Sequence, residues 1–171
     1  MIRLVPADVR LMDAALAGDG ALAEALGCDV AAGWATFAEA LAPTRDAIAS
    51  RPGWDAWGAR LFLTEDPPEL VGWGGFKGPP QGGVVELGYE IAEGRRGRGL
   101  ATAAARAMLA EAFADAAVTA VIAHTLPEPN VSNHILGKLG FAFDGEVEED
   151  GEVVWRFRLP RPARGPVTPP G

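Results

Sequence analysis

The feature that most constrains how this chain can fold is a basic, glycine-rich turn that precedes an alanine-rich segment. In residues 93–99, Gly97 and Gly99 alternate with Arg96 and Arg98, and a helix is predicted over 100–114. The first turn of a helix has N–H groups without intrahelical partners and carries partial positive charge. Glycine lets the backbone approach a ligand closely, and arginine attracts anions. The turn is therefore predicted to hold phosphate; a solvated basic turn with a glycine cap is the alternative.

The spacing separates this turn from two common nucleotide loops. The turn lacks the Gly-Lys-Ser/Thr ending of a P-loop, and Gly94, Gly97 and Gly99 do not have G-x-G-x-x-G spacing. A phosphate site of another kind is indicated.

The hydrophobic pattern predicts strands and helices that alternate within one domain. Strands are predicted at 2–6, 60–65, 70–76, 84–91, 118–123, 141–147 and 153–159, and helices at 14–26, 33–50, 100–114 and 130–139. Elements in this order indicate an α/β layer fold around one sheet. We expect a single domain over 1–159 and a disordered, proline-rich tail over 160–171.

Composition argues against several classes of protein. A net charge of -8 over 171 residues disfavours nonspecific binding of nucleic acid, which needs a positive surface. The single cysteine, Cys28, rules out an internal disulfide, and neither His124 nor His134 has metal-ligand spacing, so we predict no metal. Without a signal pattern or an apolar run long enough to span a membrane, the sequence predicts a soluble cytoplasmic protein that does not bind membranes.

Three landmarks follow one another along the chain, and the turn is the second of them. They are the strand at 84–91, the turn Arg96-x-x-Gly99-x-Ala101, and the segment from Asn130-x-Ser132 to Lys138-Leu-Gly-Phe141. Together they resemble the acetyl-coenzyme A site of the GNAT N-acetyltransferase superfamily, and within it the branch of the ribosomal-protein alanine acetyltransferases. The resemblance covers about 59–159, whereas the first 58 residues match only loosely.

The resemblance implies a fold and a cosubstrate. The fold would be of mixed α/β (α+β) type, with a single central, mostly antiparallel sheet that is splayed at the cofactor site and flanked by helices. The cosubstrate would be acetyl-CoA. Main-chain groups of Ile91 and Ala92 would pair with the pantetheine amides, and the pyrophosphate would lie on the loop and helix start. The residues concerned there are Arg96, Gly97, Arg98, Gly99, Leu100, Ala101 and Thr102.

The resemblance also implies direct transfer of an acetyl group to a primary amine, which needs a base. Glu86 lies where some family members carry a general-base glutamate, and Glu90 is the second candidate. Because side chains alternate along a strand, both carboxylates share one face with Gly88 between them, and Tyr89 lies on the other. The alternative for Glu86 is a side chain that faces solvent or forms ion pairs with nearby arginines, without a catalytic role.

The departing thiolate needs a proton donor. Many family members use a tyrosine four residues before the last glycine of the third landmark, but this chain has Leu136 there. In the branch that it resembles, a serine and an asparagine near the sulfur take this role, and Ser132 and Asn130 match them by position. Either residue could instead cap the helix that follows, and the two roles are compatible.

The acceptor is the part that the sequence describes least well. Trp54, Asp55 and Trp57 form a segment that could wall an amine site, whereas Trp34 and Trp73 are predicted to be buried in the core. We expect either a small-molecule amine or a peptide amino terminus as acceptor, and the family resemblance allows a homodimer. A noncatalytic acyl-CoA-binding module and a nucleotide-binding protein remain as alternative functions.

Overall fold

The computed structural model describes residues 1–163, in which eight strands form one sheet. The strands are β1 (Ile2–Pro6), β2 (Asp29–Val30), β3 (Ala59–Glu65), β4 (Pro68–Phe76), β5 (Val84–Ile91), β6 (Ala120–Thr125), β7 (Ala142–Glu149) and β8 (Glu152–Pro160). The helices are α1 (Val9–Ala17), α2 (Asp19–Leu26), α3 (Leu41–Ser50), α4 (Leu100–Ala114) and α5 (Val131–Lys138). This mixed α/β architecture is the one predicted, and the sheet is open and flanked by helices.

The sheet is mostly antiparallel, in the order β1-β3-β4-β5-β6-β8-β7, with the two-residue β2 parallel to β4. The central pair, β5 and β6, is also parallel, but it is paired only from Val84 to Glu86 against 120–122. Beyond Glu86, β5 continues along β4 and β6 continues along β8. The two strands therefore diverge, and the predicted splay in the sheet lies between them.

Two apolar clusters cover the two faces of the sheet. On one face, α4 packs through buried alanines and Met108 against Val85, Leu87 and Ile91 of β5. On the other face, α1, α2 and α3 pack against Leu61, Leu63 and Trp73 of β3 and β4. Trp34 and Trp73 are both buried there, as predicted, with ring centroids 6.1 Å apart.

Several predicted boundaries were wrong. The helix predicted over 14–26 is two helices that meet at Gly18, since this residue has a φ of 133° that helical backbone does not adopt. The helix predicted over 33–50 contains only a 3-10 turn, Ala38–Ala40, followed by α3, which leaves Trp34 and Phe37 outside it. Pro43 does not break α3, because it lies in the first turn, where no N–H is needed.

The carboxyl end of the predicted domain also differs from the structure. β8 ends at Pro160, and the Arg161 guanidinium donates to the main-chain oxygens of Phe113, Asp115 and Val118. β8 therefore ends one residue past the boundary that we predicted at 159. The rest of the predicted tail, 164–171, lies outside the described residues. Within 1–163, no helix has both the length and the apolar character that crossing a membrane requires.

Candidate active site

The glycine-rich turn has the geometry of an anion site. Gly97 and Gly99 both have left-handed backbone angles, with φ of 78° and 73°, and Gly99 is the N-cap of α4. No side chain caps this end of the 15-residue helix, so its first-turn N–H groups face outward without a capping partner. An end of this kind attracts phosphate oxygens.

The arginines of the turn have different roles. Arg95 forms a two-pronged ion pair with Glu69 of β4, with Nε 2.7 Å from Oε1 and the second nitrogen 2.8 Å from Oε2. This pairing lowers the pKa of Glu69 below its usual value, mainly through the hydrogen bond. Arg96 donates to the main-chain oxygen of Ile91 at 3.1 Å, and Arg98 is exposed. Arg95 thus anchors the turn, and Arg96 and Arg98 are left to attract an anion.

The open edge of β5 starts where the strands diverge. Along a strand, the main-chain groups of alternate residues point to opposite edges. The Glu86 oxygen and the Ala92 N–H bond toward β4, so the groups of Leu87, Tyr89 and Ile91 point toward the gap. Ile91 thus faces the gap, whereas both main-chain groups of Ala92 have partners elsewhere: its N–H donates to the Val71 oxygen, and its oxygen accepts from the Arg95 N–H. The sequence could not show which edge each residue faces.

The gap is bounded by Tyr89 and the start of α5. Tyr89 points to the face that carries α4 and α5, and its buried hydroxyl lies beside Ser132. Burial raises the pKa of Tyr89 to about 12, an effect that Ser132 partly offsets. Among residues 1–163, none makes a hydrogen bond of good geometry to the Tyr89 oxygen. Sequence reasoning did not assign a role to Tyr89, although it is the only tyrosine in the chain.

Asn130 has the capping role that was one of its two predicted roles. Its Oδ1 accepts from the Asn133 N–H at 2.9 Å and closes the first turn of α5. Ser132 is in the same turn and is half-buried. Leu136, which occupies the position of the family tyrosine, is buried in the core.

Glu86 lies at the closed end of the gap in a charged network. Its Oε1 is 2.6 Å from His124 Nδ1 and 3.0 Å from Lys77 Nζ, and its side chain is 16% exposed. Burial alone would lower the pKa of Lys77, but the charge and hydrogen bond of Glu86 raise it above its ordinary value. The predicted alternative of an ion-paired Glu86 is therefore part of the structure, although the ion pair is with Lys77 and not with an arginine, and His124 adds a hydrogen bond.

The hydrogen bonds of His124 fix its tautomer. Arg156 Nε, which can only donate, lies 3.3 Å from His124 Nε2, so Nε2 accepts and Nδ1–H donates to Glu86. Glu149 comes within 3.8 Å of both Lys77 and His124. Glu86, His124 and Glu149 could bring ligand atoms within 4.8 Å of one another. With the Lys77 ammonium between the carboxylates and a proton on Nδ1, the group fits an ion-pair network better than a metal centre.

A cavity of about 420 Å³ opens on the same face of the sheet as Glu86. It is mostly apolar, and its walls come from the 3-10 turn, α3, the Trp54 segment and strands β4 and β5. The residues that line it are Phe37, Ala40, Thr44, Trp54, Ala59, Trp73, Gly74, Gly75, Phe76, Lys77, Gly88, Tyr89 and Glu90.

Only one of the three residues predicted to wall the acceptor site lines this cavity. Trp54 does, but Asp55 is exposed and Trp57 packs edge-on against Phe76, with ring centroids 5.1 Å apart. Trp57 also borders the apolar cluster under α4, on the other face of the sheet. Asp55 and Trp57 therefore lie outside the cavity, and the turns at 51–58 have no periodicity from which the sequence could show where each side chain points.

Comparison with known proteins decides the family. Residues 1–142 match the family described as Acetyltransferase (GNAT) domain. The chain belongs to the GNAT acetyltransferases. It is 27% identical over 151 residues to the uncharacterized N-acetyltransferase YjdG of Bacillus subtilis (strain 168), a match that covers 86% of this chain and 90% of that protein.

Solved GNAT structures share the fold. A putative GnaT-family acetyltransferase from Bordetella pertussis has a TM-score of 0.65 at 22% identity, covering 92% of this chain and 94% of that one. Mycobacterium smegmatis RimJ in complex with CoA-disulfide has a TM-score of 0.62 at 21% identity, covering 93% and 85%. The family match shows that the chain is an acetyltransferase, and these structures show that it shares the GNAT fold.

Proposed function

We propose that this GNAT enzyme transfers an acetyl group from acetyl-CoA directly to a primary amine, on a small molecule or at a peptide amino terminus. The observation that carries this proposal is the arrangement of β5. Its open main-chain edge lies between a carboxylate, Glu86, on one face and the Tyr89–Ser132 hydroxyl pair on the other. A base and a proton donor on either side of one gap are what acyl transfer from a thioester to an amine requires.

The chain offers a fitting site for the cosubstrate. Main-chain groups of Leu87, Tyr89 and Ile91 would bind the pantetheine amides along the open edge. The turn and the start of α4 would bind the pyrophosphate through main-chain N–H groups, with attraction from Arg96 and Arg98. The positions proposed there are Arg96, Gly97, Arg98, Gly99, Leu100, Ala101 and Thr102.

In this proposal Glu86 accepts the amine proton, directly or through water. His124 and Lys77 hold the carboxylate in place, and Arg156 acts through His124 as a positioning residue. As the nitrogen–carbon bond forms and the carbon–sulfur bond breaks, Ser132 and Tyr89 donate hydrogen bonds to the thiolate sulfur. The amine proton leaves through Glu86, and the thiolate gains a proton through the hydroxyl pair.

A noncatalytic acyl-CoA-binding module is the alternative, and one observation favours it. Leu136 replaces the family tyrosine and is buried, so it leaves no acid in the usual place. The finer placement in the ribosomal-protein alanine acetyltransferase branch, a cytoplasmic location and a homodimer are also proposals. They are supported by the Asn130-x-Ser132 motif, by the single cysteine and by the family resemblance, respectively.

The variant Glu86→Gln separates enzyme from binding module. We expect it to bind acetyl-CoA like wild type but to turn over amines at least about 100-fold more slowly, since general bases contribute this much. Thiol release is measured over a panel of amines and peptides, with exposed Glu65→Gln as the matched control. Full activity in Glu86→Gln would overturn the assignment of the base. Wild type that binds acetyl-CoA but acetylates no amine would favour the binding module.

A further inference from the structure

The floor of the apolar cavity is the part of β5 between its two carboxylates. Glu90 and Gly88 line the cavity, and so does Lys77, the partner of Glu86. Glu86 and Glu90 lie four residues apart on one face of a strand, so their Cα atoms are separated by about 13 Å. An acceptor in this cavity with its reacting amine near Glu86 therefore extends toward Glu90.

The two carboxylates differ in how their charge is compensated. Glu86 has an ammonium and an imidazole as partners. Glu90 has only neutral donors: Trp73 Nε1 at 2.6 Å and the Phe37 N–H at 3.3 Å, both to Oε1. Its Oε2 is buried and has no hydrogen-bond partner within residues 1–163, and none of the ion pairs recorded there includes Glu90. A carboxylate without a cation in an apolar setting favours a cationic ligand beside it.

We propose that Glu90 recognises a second cationic group of the acceptor, so that the preferred acceptors are amines with an apolar or aromatic body and a second ammonium or guanidinium group. This inference rests on the proposed function, because it takes the same cavity as the acceptor site. It adds that Glu90 determines specificity and is not the base.

The walls of the cavity suit such a molecule. Trp54 and Trp73 contribute aromatic side chains to the lining, and Phe37 is 61% exposed. The Phe37 N–H donates to the Glu90 carboxylate, so this carboxylate and the Phe37 ring lie on the same surface of the cavity. Aromatic rings around a carboxylate favour cations over neutral groups.

Gly88 leaves the space that the acceptor needs. A Cβ placed on Gly88 would meet no atom within 4 Å, and its φ lies outside the left-handed region, so Gly88→Ala should fold normally. The added methyl group would occupy the floor of the cavity between the two glutamates. Glycine at this position therefore keeps the floor open.

The test compares para-xylylenediamine with para-methylbenzylamine, which share an aromatic body and differ in the second ammonium group. Their dissociation constants are measured by calorimetry on the full chain saturated with CoA, so that no turnover is needed. We expect the diamine to bind wild type at least about 10-fold more tightly than the monoamine. In Glu90→Gln this preference should disappear, while Glu65→Gln should retain it and CoA affinity should be the same in all three proteins.

Each outcome bears on the proposal. Equal binding of the two amines by wild type would overturn the proposal, and so would a preference for the diamine that survives in Glu90→Gln. In either case the donor to Oε2 of Glu90 would be water and not the acceptor. Gly88→Ala should weaken both amines while CoA affinity and melting temperature stay unchanged; unaltered amine binding would place the acceptor elsewhere. Selective diamine binding without acetylation would support the Glu90 site and count against the proposed transfer reaction, so the two failures are distinguishable.

Discussion

Tyr89 and Glu90 are neighbours in β5, yet their polar groups lie on opposite faces of the sheet. The Tyr89 hydroxyl is buried beside Ser132 of α5, whereas the Glu90 carboxylate accepts a 2.6 Å hydrogen bond from Trp73 on the side of the apolar cavity. The strand that separates them is the one whose edge is open. Cosubstrate and acceptor can therefore approach β5 from different sides, and each meets its own polar groups there.

Tyr89→Phe is expected to reduce activity without reducing stability. The Tyr89 hydroxyl is buried without a hydrogen bond of good geometry, so its removal should leave the melting temperature unchanged or slightly higher. Loss of the donor to the thiolate should lower kcat by about 10-fold or more, as for other proton donors. Calorimetry and thiol-release kinetics measure the two effects. A variant that is less stable but fully active would show that Tyr89 has a structural role only.

Tyr89 is not expected to shape the pH profile of kcat. Because burial raises the pKa of Tyr89 to about 12, the hydroxyl stays protonated as a donor throughout the range in which the protein can be assayed. We expect the alkaline side of the kcat profile to be the same in wild type and Tyr89→Phe. An alkaline limb that appears in wild type and is absent from Tyr89→Phe would contradict this.

Gly99→Glu should abolish acetyl-CoA binding and leave the fold intact. Gly99 has a φ of 73°, and a carboxylate there would repel a pyrophosphate at the start of α4. Gly99→Asn is the matched control, since asparagine tolerates left-handed angles and adds no charge. We expect affinity to fall at least about 100-fold in Gly99→Glu, equivalent to about 2.7 kcal/mol, and much less in Gly99→Asn. Equal loss in both variants would mean that backbone strain, not charge, is responsible.

The Glu69–Arg95 pair should make stability depend on pH in the acidic range. Arg95 lowers the pKa of Glu69 in the folded chain from its ordinary 4.5, so the pair stabilises the fold above that pH and stops doing so as the pH falls through the lowered value. Both side chains are partly exposed, so solvent screens the pair and its contribution to stability is small. Chemical unfolding of wild type and Glu69→Gln should differ at pH 7 and converge in strong acid. A difference that grows on acidification would contradict the assignment.

Local patterns allowed much of the fold to be predicted. The alternation of apolar and polar residues, and the glycines at the ends of strands and helices, both act over a few residues. The bounds predicted for β1, β5 and α4 match the structure residue for residue. The helix predicted over 33–50 failed because Trp34 and Phe37 have helical spacing but different surroundings: Trp34 is buried, and Phe37 is exposed beside Glu90. The two-residue β2 could not be predicted, since only its contact with β4 defines it.

The sequence predicted the candidate site only where its residues are neighbours along the chain. The turn at 93–99 and the cap at Asn130 depend on neighbouring residues, and sequence shows both. The other members of the charged network around Glu86 come from the β4–β5 connection, β6, β7 and β8, so only the folded sheet brings Lys77, His124, Glu149 and Arg156 together. The role proposed for Glu90 could not be predicted from the sequence either. It depends on the absence of a cationic partner within residues 1–163, which only the folded structure shows.

The measurement that tests the central claim most directly is calorimetric titration of the full chain with acetyl-CoA, with ATP and desulfo-coenzyme A as controls. The account predicts micromolar binding of acetyl-CoA, comparable binding of desulfo-coenzyme A and no binding of ATP, since the open edge of β5 recognises pantetheine as well as pyrophosphate. No binding of acetyl-CoA, or binding of ATP that is equally tight, would contradict the assignment of this gap and turn as an acetyl-CoA site.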